Sequence, residues 1–324
     1  MRQLGLATML VLLSALVGAS CGGGDDGDGG GGQGTTSIRV GVIPITPVAP
    51  VYLGVEKGFF EREGLRVEPV PAQGGAAIVP AVQSGEQQFG FSNSVSLMIA
   101  QTQGLDVRVV SPGEAAPADR EEDNSAVMVP PASDVRRPQD LEGAKIGVNT
   151  LKNIAGLTIE ASLEKMGVDT ESIDLVEVPF PEMLSATKSG EIDAGFFNEP
   201  FTSAAEGAGL RTIVNPYTQT APDLPIAPYF TTQQYIDDNP KVVAAFQRAM
   251  ERATRYANEN PDELRRILTT YTEIPPETVK KIGLPHLTSE LRPEPYEQLA
   301  DIALELGYVD KPVDVDQLLV PPGE

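Results

Sequence analysis

The chain has 324 residues, of which 41% are hydrophobic, and its 46 acidic and 24 basic side chains give a net charge of −22. This length and composition suffice for two ordinary domains with apolar cores. The negative charge argues against nucleic acid and anionic membrane surfaces as partners, because both are bound by clustered Lys and Arg. The chain has one Cys and one His, so we expect no internal disulfide and no metal site of the Cys/His type. These counts leave open a site built from carboxylates alone, but we expect neither a metal nor a cofactor.

The first 20 residues are typical of an export signal. Their apolar run, Leu4 to Val17, is shorter than the ~20 residues that span a bilayer. The small residues before Cys21 resemble a bacterial lipoprotein cleavage box, although Gly18 stands where such boxes usually carry Leu. This resemblance implies that Cys21 is lipidated; a plain secretory signal is the alternative. Residues 21–37 would then be the lipidated Cys and a flexible Gly/Asp linker.

From Ile38 onward, short β-branched runs alternate with helical patterns, which predicts parallel βαβ units. The predicted strands cover 38–43, 65–70, 89–91, 107–110, 126–129, 145–148, 175–178, a run that ends at 197, and 213–214. Segments 111–124 and 221–225 are rich in Pro and lack periodicity, so we expect each to cross between two lobes. From Asn239 onward the pattern is helical, and we expect this tail to pack on the outside of the first lobe.

Two stretches of the chain repeat one pattern. Ser84-Gly85-Glu86 and Ser189-Gly190-Glu191 are each followed by Gly-Phe and then by an Asn, which is Asn93 in the first copy and Asn198 in the second. Two copies of one unit predict an α/β protein of two lobes, each a mostly parallel sheet flanked by helices, with a cleft between them. The expected bounds are 38–115 with 226–324 for lobe 1, and 116–225 for lobe 2.

Several motifs resemble one family. The block Leu53–Val67, which contains Gly-Val-Glu-Lys-Gly-Phe-Phe, is similar to a helix and turn of bacterial nitrate-, sulfonate- and taurine-binding proteins, whose relatives include binders of thiamine pyrimidine precursors. Gln73-Gly74-Gly75, Leu141–Val148 and Asn198–Phe201 match the same pattern in the same order, and the similarity runs from about Ile38 to Tyr271.

This resemblance implies a periplasmic-binding-protein type II fold and an extracytoplasmic receptor of an ABC importer. Such a receptor binds a small molecule between its lobes and delivers it to a permease and its ATPase. We expect a monomer that touches the membrane only through its lipid anchor.

The candidate binding site follows from the fold. In open α/β sheets ligands bind beyond the carboxyl ends of strands, where helix N-termini expose N–H groups. The residues expected at these ends are Thr46, Ala49, Gly74, Gly75, Ala76, Asn93, Ser94, Thr150, Asn153, Asn198 and Glu199. Three tyrosines, Tyr52, Tyr217 and Tyr229, are candidates for stacking on a ring or for packing in the core, and of these we place Tyr229 in the site.

Each of these residues also has an ordinary structural interpretation. Asn93 and Asn198 could bind a ligand or cap the following helix. Glu199 could accept from an amino group or complement a helix dipole. The loops hold few cations, yet N–H groups and Asn side chains could bind a sulfonate, so a sulfonate or taurine-like anion and a pyrimidine both stay open.

Two other functional classes compete with a transport receptor. The first is an enzyme of the same fold, and the second is a ligand-sensing lipoprotein. Ser92 lies in Gly-Phe-Ser-Asn-Ser, which lacks the second Gly of a nucleophile elbow. His286 lies far along the chain from any candidate nucleophile, so we expect no catalytic residues.

Overall fold

The computed structural model describes residues 35–321. The predicted signal peptide, Cys21 and most of the linker lie outside this range. The strands are β1 Thr36–Val42, β2 Leu65–Pro71, β3 Phe89–Phe91, β4 Arg108–Ala115, β5 Ser125–Val129, β6 Lys145–Val148, β7 Asp174–Glu177, β8 Ala194–Asn198, β9 Arg211–Val214 and β10 Pro225–Thr231. The helices are α1 Ala49–Glu56, α2 Phe59–Arg62, α3 Gly75–Gln83, α4 Ser94–Thr102, α5 Ile154–Lys165, α6 Phe180–Ser189, α7 Phe201–Gly207, α8 Pro216–Thr220, α9 Gln233–Asp238, α10 Pro240–Glu259, α11 Pro261–Leu268, α12 Pro276–Val279, α13 Pro293–Glu305 and α14 Val315–Leu318.

The strands form two five-stranded sheets with the same architecture. The first has the order β2-β1-β3-β10-β4 and the second β7-β6-β8-β5-β9. In each sheet, three parallel strands are followed by one antiparallel strand, β10 or β5, and then by a strand in the original direction. The predicted two-lobe α/β fold with mostly parallel sheets is therefore confirmed, and the shared order explains the sequence repeat. The lobe bounds given above remain predictions.

The glycines of the repeat let helices pack directly on the central strands. A Cβ added to Gly41 in β1 would lie 2.5 Å from Ile78 Cγ2 of α3. In the second sheet, a Cβ on Gly147 of β6 would lie 2.7 Å from Met183 Sδ of α6. Because real side chains do not approach so closely, each lobe needs glycine at this position.

Strand β10 was missed in the sequence. Pro225 and Pro228 give this stretch the local character of a loop, yet it pairs with both β3 and β4 inside the first sheet. The register shifts along the β10–β4 pairing fit the rule that Pro enters sheets at irregularities. Its partner β4 also extends to Ala115, so the first crossing begins later than residue 111.

The helical tail does more than cover the first lobe. As expected, α10 packs against α1, α2 and β4, and its Phe246 stacks on Phe89 at a ring distance of 3.9 Å. However, α12 contacts α7, and the Gly283 N–H donates to the Glu199 carboxylate at 3.0 Å. The expectation that the tail stays on the first lobe is therefore wrong for residues 276–283. Between residues 35 and 321, no helix combines the length and the apolar character that crossing a bilayer requires.

Candidate functional site

A small cavity lies between the two sheets and receives side chains from both. Its volume is about 30 Å³, far below the ~300 Å³ of the smallest typical ligand pockets. A ligand of ordinary size therefore enters only if the lobes move apart. Its lining consists of Ile43, Ile45, Phe91, Asn93, Glu114, Asn149, Asn153, Ile154, Ala155, Phe180, Phe196, Asn198, Tyr217, Ile226 and Ala227.

Asn93 joins the two lobes. Its Oδ1 accepts from the Ser96 N–H at 2.9 Å, which caps α4, and also from the Ile154 N–H of α5 at 3.2 Å. Its Nδ2 donates to Ser96 Oγ at 2.9 Å. One amide oxygen thus serves the N-termini of helices in different lobes, and the helix-capping interpretation of Asn93 is correct in this closed state.

Asn153 has its partners within the second lobe. Its Oδ1 accepts from the Gly156 N–H at 3.1 Å and caps α5. Its Nδ2 donates to Asn149 Oδ1 and to Thr150 Oγ1, each at 2.9 Å. These bonds hold three polar side chains together at the carboxyl end of β6, beside Gly74 of the other lobe.

Asn198 is the equivalent of Asn93 at the end of β8, but its bonding is different. Its Nδ2 lies 3.5 Å from the Tyr217 hydroxyl, a long contact. Its Oδ1 is buried and has no hydrogen-bond partner among the described residues. Burial also raises the pKa of Tyr217 well above its usual value, so this hydroxyl stays protonated. Asn198 therefore brings to the cavity an amide oxygen that no group in residues 35–321 satisfies.

The Thr46 and Glu199 backbones provide the second bond between the lobes. The Thr46 N–H donates to the Glu199 carbonyl oxygen at 2.9 Å. The Glu199 N–H in turn donates to the Asn124 carbonyl at 3.1 Å. This chain of bonds links the loop after β1 to the crossing segment before β5.

The Glu199 carboxylate points into a set of protein donors. It accepts from the Ser203 N–H at 3.1 Å, the Ser203 hydroxyl at 2.7 Å and the Gly283 N–H at 3.0 Å. Burial raises the pKa of Glu199 to about 7, although these donors favour the ionised form. Since the carboxylate binds the first turn of α7, this geometry fits the helix-end interpretation and leaves ligand binding by Glu199 a prediction.

Gly74 and Gly75 allow other groups to approach the backbone closely, but the groups that do so belong to the protein and not to a ligand. A Cβ on Gly74 would lie 2.7 Å from Thr150 Cγ2 of the opposite lobe, and one on Gly75 would lie 2.1 Å from Ser92 Oγ. Any side chain at Gly74 would therefore keep the lobes apart. Ala76 is exposed on α3 and is not among the cavity-lining residues of the described chain.

Three other predicted residues lie in the protein interior instead of the cavity. Ala49 packs in a core cluster with Leu53, and Ser94 is fully buried. Tyr229 is also buried, its ring 5.2 Å from that of Phe91. In this closed state the site thus brings together Asn93, Asn153 and Asn198, with Thr46, Gly74 and Thr150 at the surfaces where the lobes meet.

The cavity also holds polar residues that were not among the predicted site residues. Asn149 directly follows β6, so the strand-end rule that selected Asn93 could have found it. Tyr217, one of the three tyrosines considered for ring stacking, comes from α8. Glu114 comes from β4 and carries no local sequence signal. Of the described cavity-lining residues, Glu114 alone is an acid and none is Lys, Arg or His.

Comparisons with known proteins agree with this architecture. Residues 45–264 match the family model described as "NMT1/THI5 like". The chain is 25% identical over 223 residues to the formylaminopyrimidine-binding protein of Halalkalibacterium halodurans, covering 68% of this chain and 65% of that protein, a little under two thirds of its length. It is 25% identical over 229 residues to the taurine-binding periplasmic protein of Escherichia coli, covering 70% and 68%.

A solved structure shows the same fold. The alkanesulfonate-binding protein SsuA from Xanthomonas axonopodis pv. citri, bound to MOPS, superposes with a TM-score of 0.76 at 18% identity, covering 89% of this chain and 99% of that one. At this identity the likeness concerns the fold alone.

Asn93→Ala and Asn153→Ala should separate capping from contact between the lobes. Each variant loses a helix cap, so each should lower the free energy of unfolding by about 1 kcal/mol. Only Asn93→Ala also loses a bond to the opposite lobe. We expect its radius of gyration, measured by small-angle X-ray scattering, to exceed that of the wild type and of Asn153→Ala. Equal radii in all three proteins would show that Asn93 does not hold the cleft closed.

Proposed function

Because the chain belongs to the NMT1/THI5-like family, we propose that it is an extracytoplasmic solute-binding receptor of an ABC importer. It binds a small organic ligand in the cleft between its lobes and delivers that ligand to a permease coupled to an ATPase. The receptor acts as a monomer, and no enzymatic step is part of this function.

One observation carries the proposal: Asn93, Asn153 and Asn198 reach a single cavity from two separate sheets. Amide side chains both donate and accept, so they suit recognition of a polar solute without chemical change. Two hydrogen bonds also close the lobes over this cavity, Thr46 to Glu199 and Ile154 to Asn93. A ligand trapped there would be shielded from water until the lobes open at the permease.

The names of the relatives suggest two ligand classes, a sulfonate or taurine-like anion and a thiamine-precursor pyrimidine. Either class has polar atoms that the Asn side chains could bind. The 25% identity to relatives of both kinds does not favour one of them.

We further propose that the receptor is held at the extracytoplasmic face of the cell membrane by a lipid on Cys21. The Gly- and Asp-rich residues that follow would form a tether, because such a sequence cannot bury apolar surface. The tether would let the folded lobes reach the permease.

A thermal-shift panel tests the proposed receptor. We expect at least one of taurine, methanesulfonate, nitrate, a flavin and 4-aminopyrimidine to raise the melting temperature, because a ligand that binds only the folded state stabilises it by about 2.7 kcal/mol at a hundredfold excess over Kd. If no member of the panel stabilises the protein, or if the purified protein converts the ligand, the receptor function is wrong.

Asn198→Ala should weaken the binding of any ligand identified by this panel. The variant removes a cavity-facing amide whose Oδ1 lacks a partner within the described chain, so it should raise Kd about tenfold, the effect of losing one hydrogen bond of about 1.4 kcal/mol. Isothermal titration calorimetry measures the change, and Gln219→Ala, outside the cavity lining, is the control. An unchanged Kd for Asn198→Ala would assign this residue a structural role.

Cys21→Ser tests the lipid anchor. In a bacterial host that processes lipoproteins, the wild type should fractionate with membranes, since acylation requires the thiol of Cys21. The variant should appear in the soluble extracytoplasmic fraction. Full membrane association of Cys21→Ser would rule out anchoring through this residue.

A further inference from the structure

Glu114 occupies an unusual place at the end of β4. Its side chain is only 4% exposed, and it lines the cleft cavity. It also lines a second cavity of about 280 Å³, here called the hinge cavity, which is bounded by residues 112–115, 223, 225 and parts of 286–296. A single carboxyl group therefore connects the closed cleft with a larger cavity beside the crossing segments.

The carboxyl of Glu114 has few partners. The Asn124 side chain donates to it through Nδ2, and backbone pairing with Leu287 fixes its position. Burial, with a smaller effect of the Asp123 charge, raises the pKa of Glu114 to about 8. At neutral pH the ligand-free protein thus holds this carboxyl largely protonated, and a positive charge placed beside it would favour the ionised form.

Other groups near Glu114 set its electrostatic surroundings. Tyr217 faces it across the cleft and Asp123 lies on the adjacent crossing segment. The charged and titratable residues that line the hinge cavity with it are Asp223, His286, Glu290, Arg292 and Tyr296. Arg292 lies 3.5 Å from Asp223, so its charge is partly compensated by another carboxylate.

Two buried acceptor atoms near the cleft also favour a ligand that donates hydrogen bonds. Seven buried side-chain atoms of the described chain lack a hydrogen bond, among them Asn198 Oδ1, which lines the cleft cavity, and Asn124 Oδ1 of the adjacent crossing segment. These two amide oxygens can only accept, and a buried acceptor is costly unless an N–H or O–H reaches it. With Glu114 nearby, the site offers acceptors and a carboxyl group but no cationic side chain in its described lining.

The remaining walls suit a flat ring. Phe91, Phe180, Phe196 and Tyr217 line the cavity, and the ring of Phe196 lies 6.4 Å from Phe180 and 5.9 Å from Tyr217. Aromatic faces pack well against another ring and against a cation. These walls are therefore compatible with a ring that carries a positive charge.

We propose that Glu114 is a specificity-determining residue of the cleft, which selects ring compounds that bear an amino or ammonium group and which releases its proton when a cationic ligand of this kind binds. The inference rests on the proposed receptor function and narrows its ligand class. The ligand N–H groups bond to the Glu114 carboxylate and to Asn198 Oδ1, and the proton leaves to solvent.

Benzylamine and benzenesulfonate are matched probes, because they share a ring and differ in the charge that it carries. We expect benzylamine to bind and benzenesulfonate to bind at least tenfold more weakly. Calorimetry in two buffers of different ionisation enthalpy counts the protons exchanged. With benzylamine about one proton should be released at pH 7, and this number should fall as the pH rises through about 8, where the pKa of Glu114 in the free protein lies.

Glu114→Gln keeps the size of the side chain and removes its proton. It should abolish proton release and weaken benzylamine binding roughly tenfold to hundredfold, the range of a hydrogen bond to a charged group. Glu114→Asp retains a carboxyl group and should retain proton release. Glu290→Gln, in the hinge cavity alone, is the control and should behave as the wild type; thermal unfolding confirms that each variant is folded.

The outcomes separate this inference from the receptor function. If another ligand stabilises the wild type but benzenesulfonate binds as well as benzylamine, or benzylamine binds without proton release, the role of Glu114 is wrong and the receptor function stands. If Glu114→Gln still releases a proton on binding benzylamine, the role of Glu114 is likewise wrong and the receptor function stands. If neither these probes nor the earlier panel bind, both proposals fail.

Discussion

The structure depends on one constraint: the carboxyl ends of the parallel strands of both sheets lie at the same cleft. Helices begin at those ends, so backbone N–H groups without intrahelical partners collect between the lobes. Asn93 provides an acceptor for such N–H groups in both lobes, because its Oδ1 accepts from the Ser96 N–H of α4 and from the Ile154 N–H of α5. Closing the cleft therefore satisfies a helix end that would otherwise need water, and Gly74 leaves the room that this contact requires.

Two buried carboxyl groups near the cleft illustrate different roles for the same chemistry. Glu199 is surrounded by donors from Ser203 and Gly283, so it ties α7 to the tail and has little capacity left for a solute. Glu114 has one side-chain donor, Asn124, and a place in two cavities. A buried acid with so few donors favours its neutral form, and it responds strongly to any charge that arrives beside it.

The repeat in the sequence was enough to predict the two lobes and the place of their cleft. Local periodicity gives the short parallel strands, and the strand-end rule leads to Asn93, Asn153 and Asn198, which share one cavity. Strand β10 was not predicted, because its two prolines are typical of a loop. It is a strand only through its pairing with β3 and β4, which lie far away in the sequence. Glu114 was not predicted as a site residue for a similar reason. It is buried by residues far along the chain, such as Leu287, and no local sequence pattern indicates that contact.

The two equivalent asparagines show how a duplicated frame acquires a specific site. Asn93 has all its strong bonds to Ser96 and Ile154, so its capacity is used in holding the lobes together. Asn198 stands at the same place in the second unit, yet its Oδ1 has no partner within the described chain. A buried acceptor of this kind is costly, and under the proposed function an N–H or O–H of the solute would satisfy it. The duplication thus explains where the cleft lies, and under that proposal the difference between Asn93 and Asn198 would contribute to the choice of ligand.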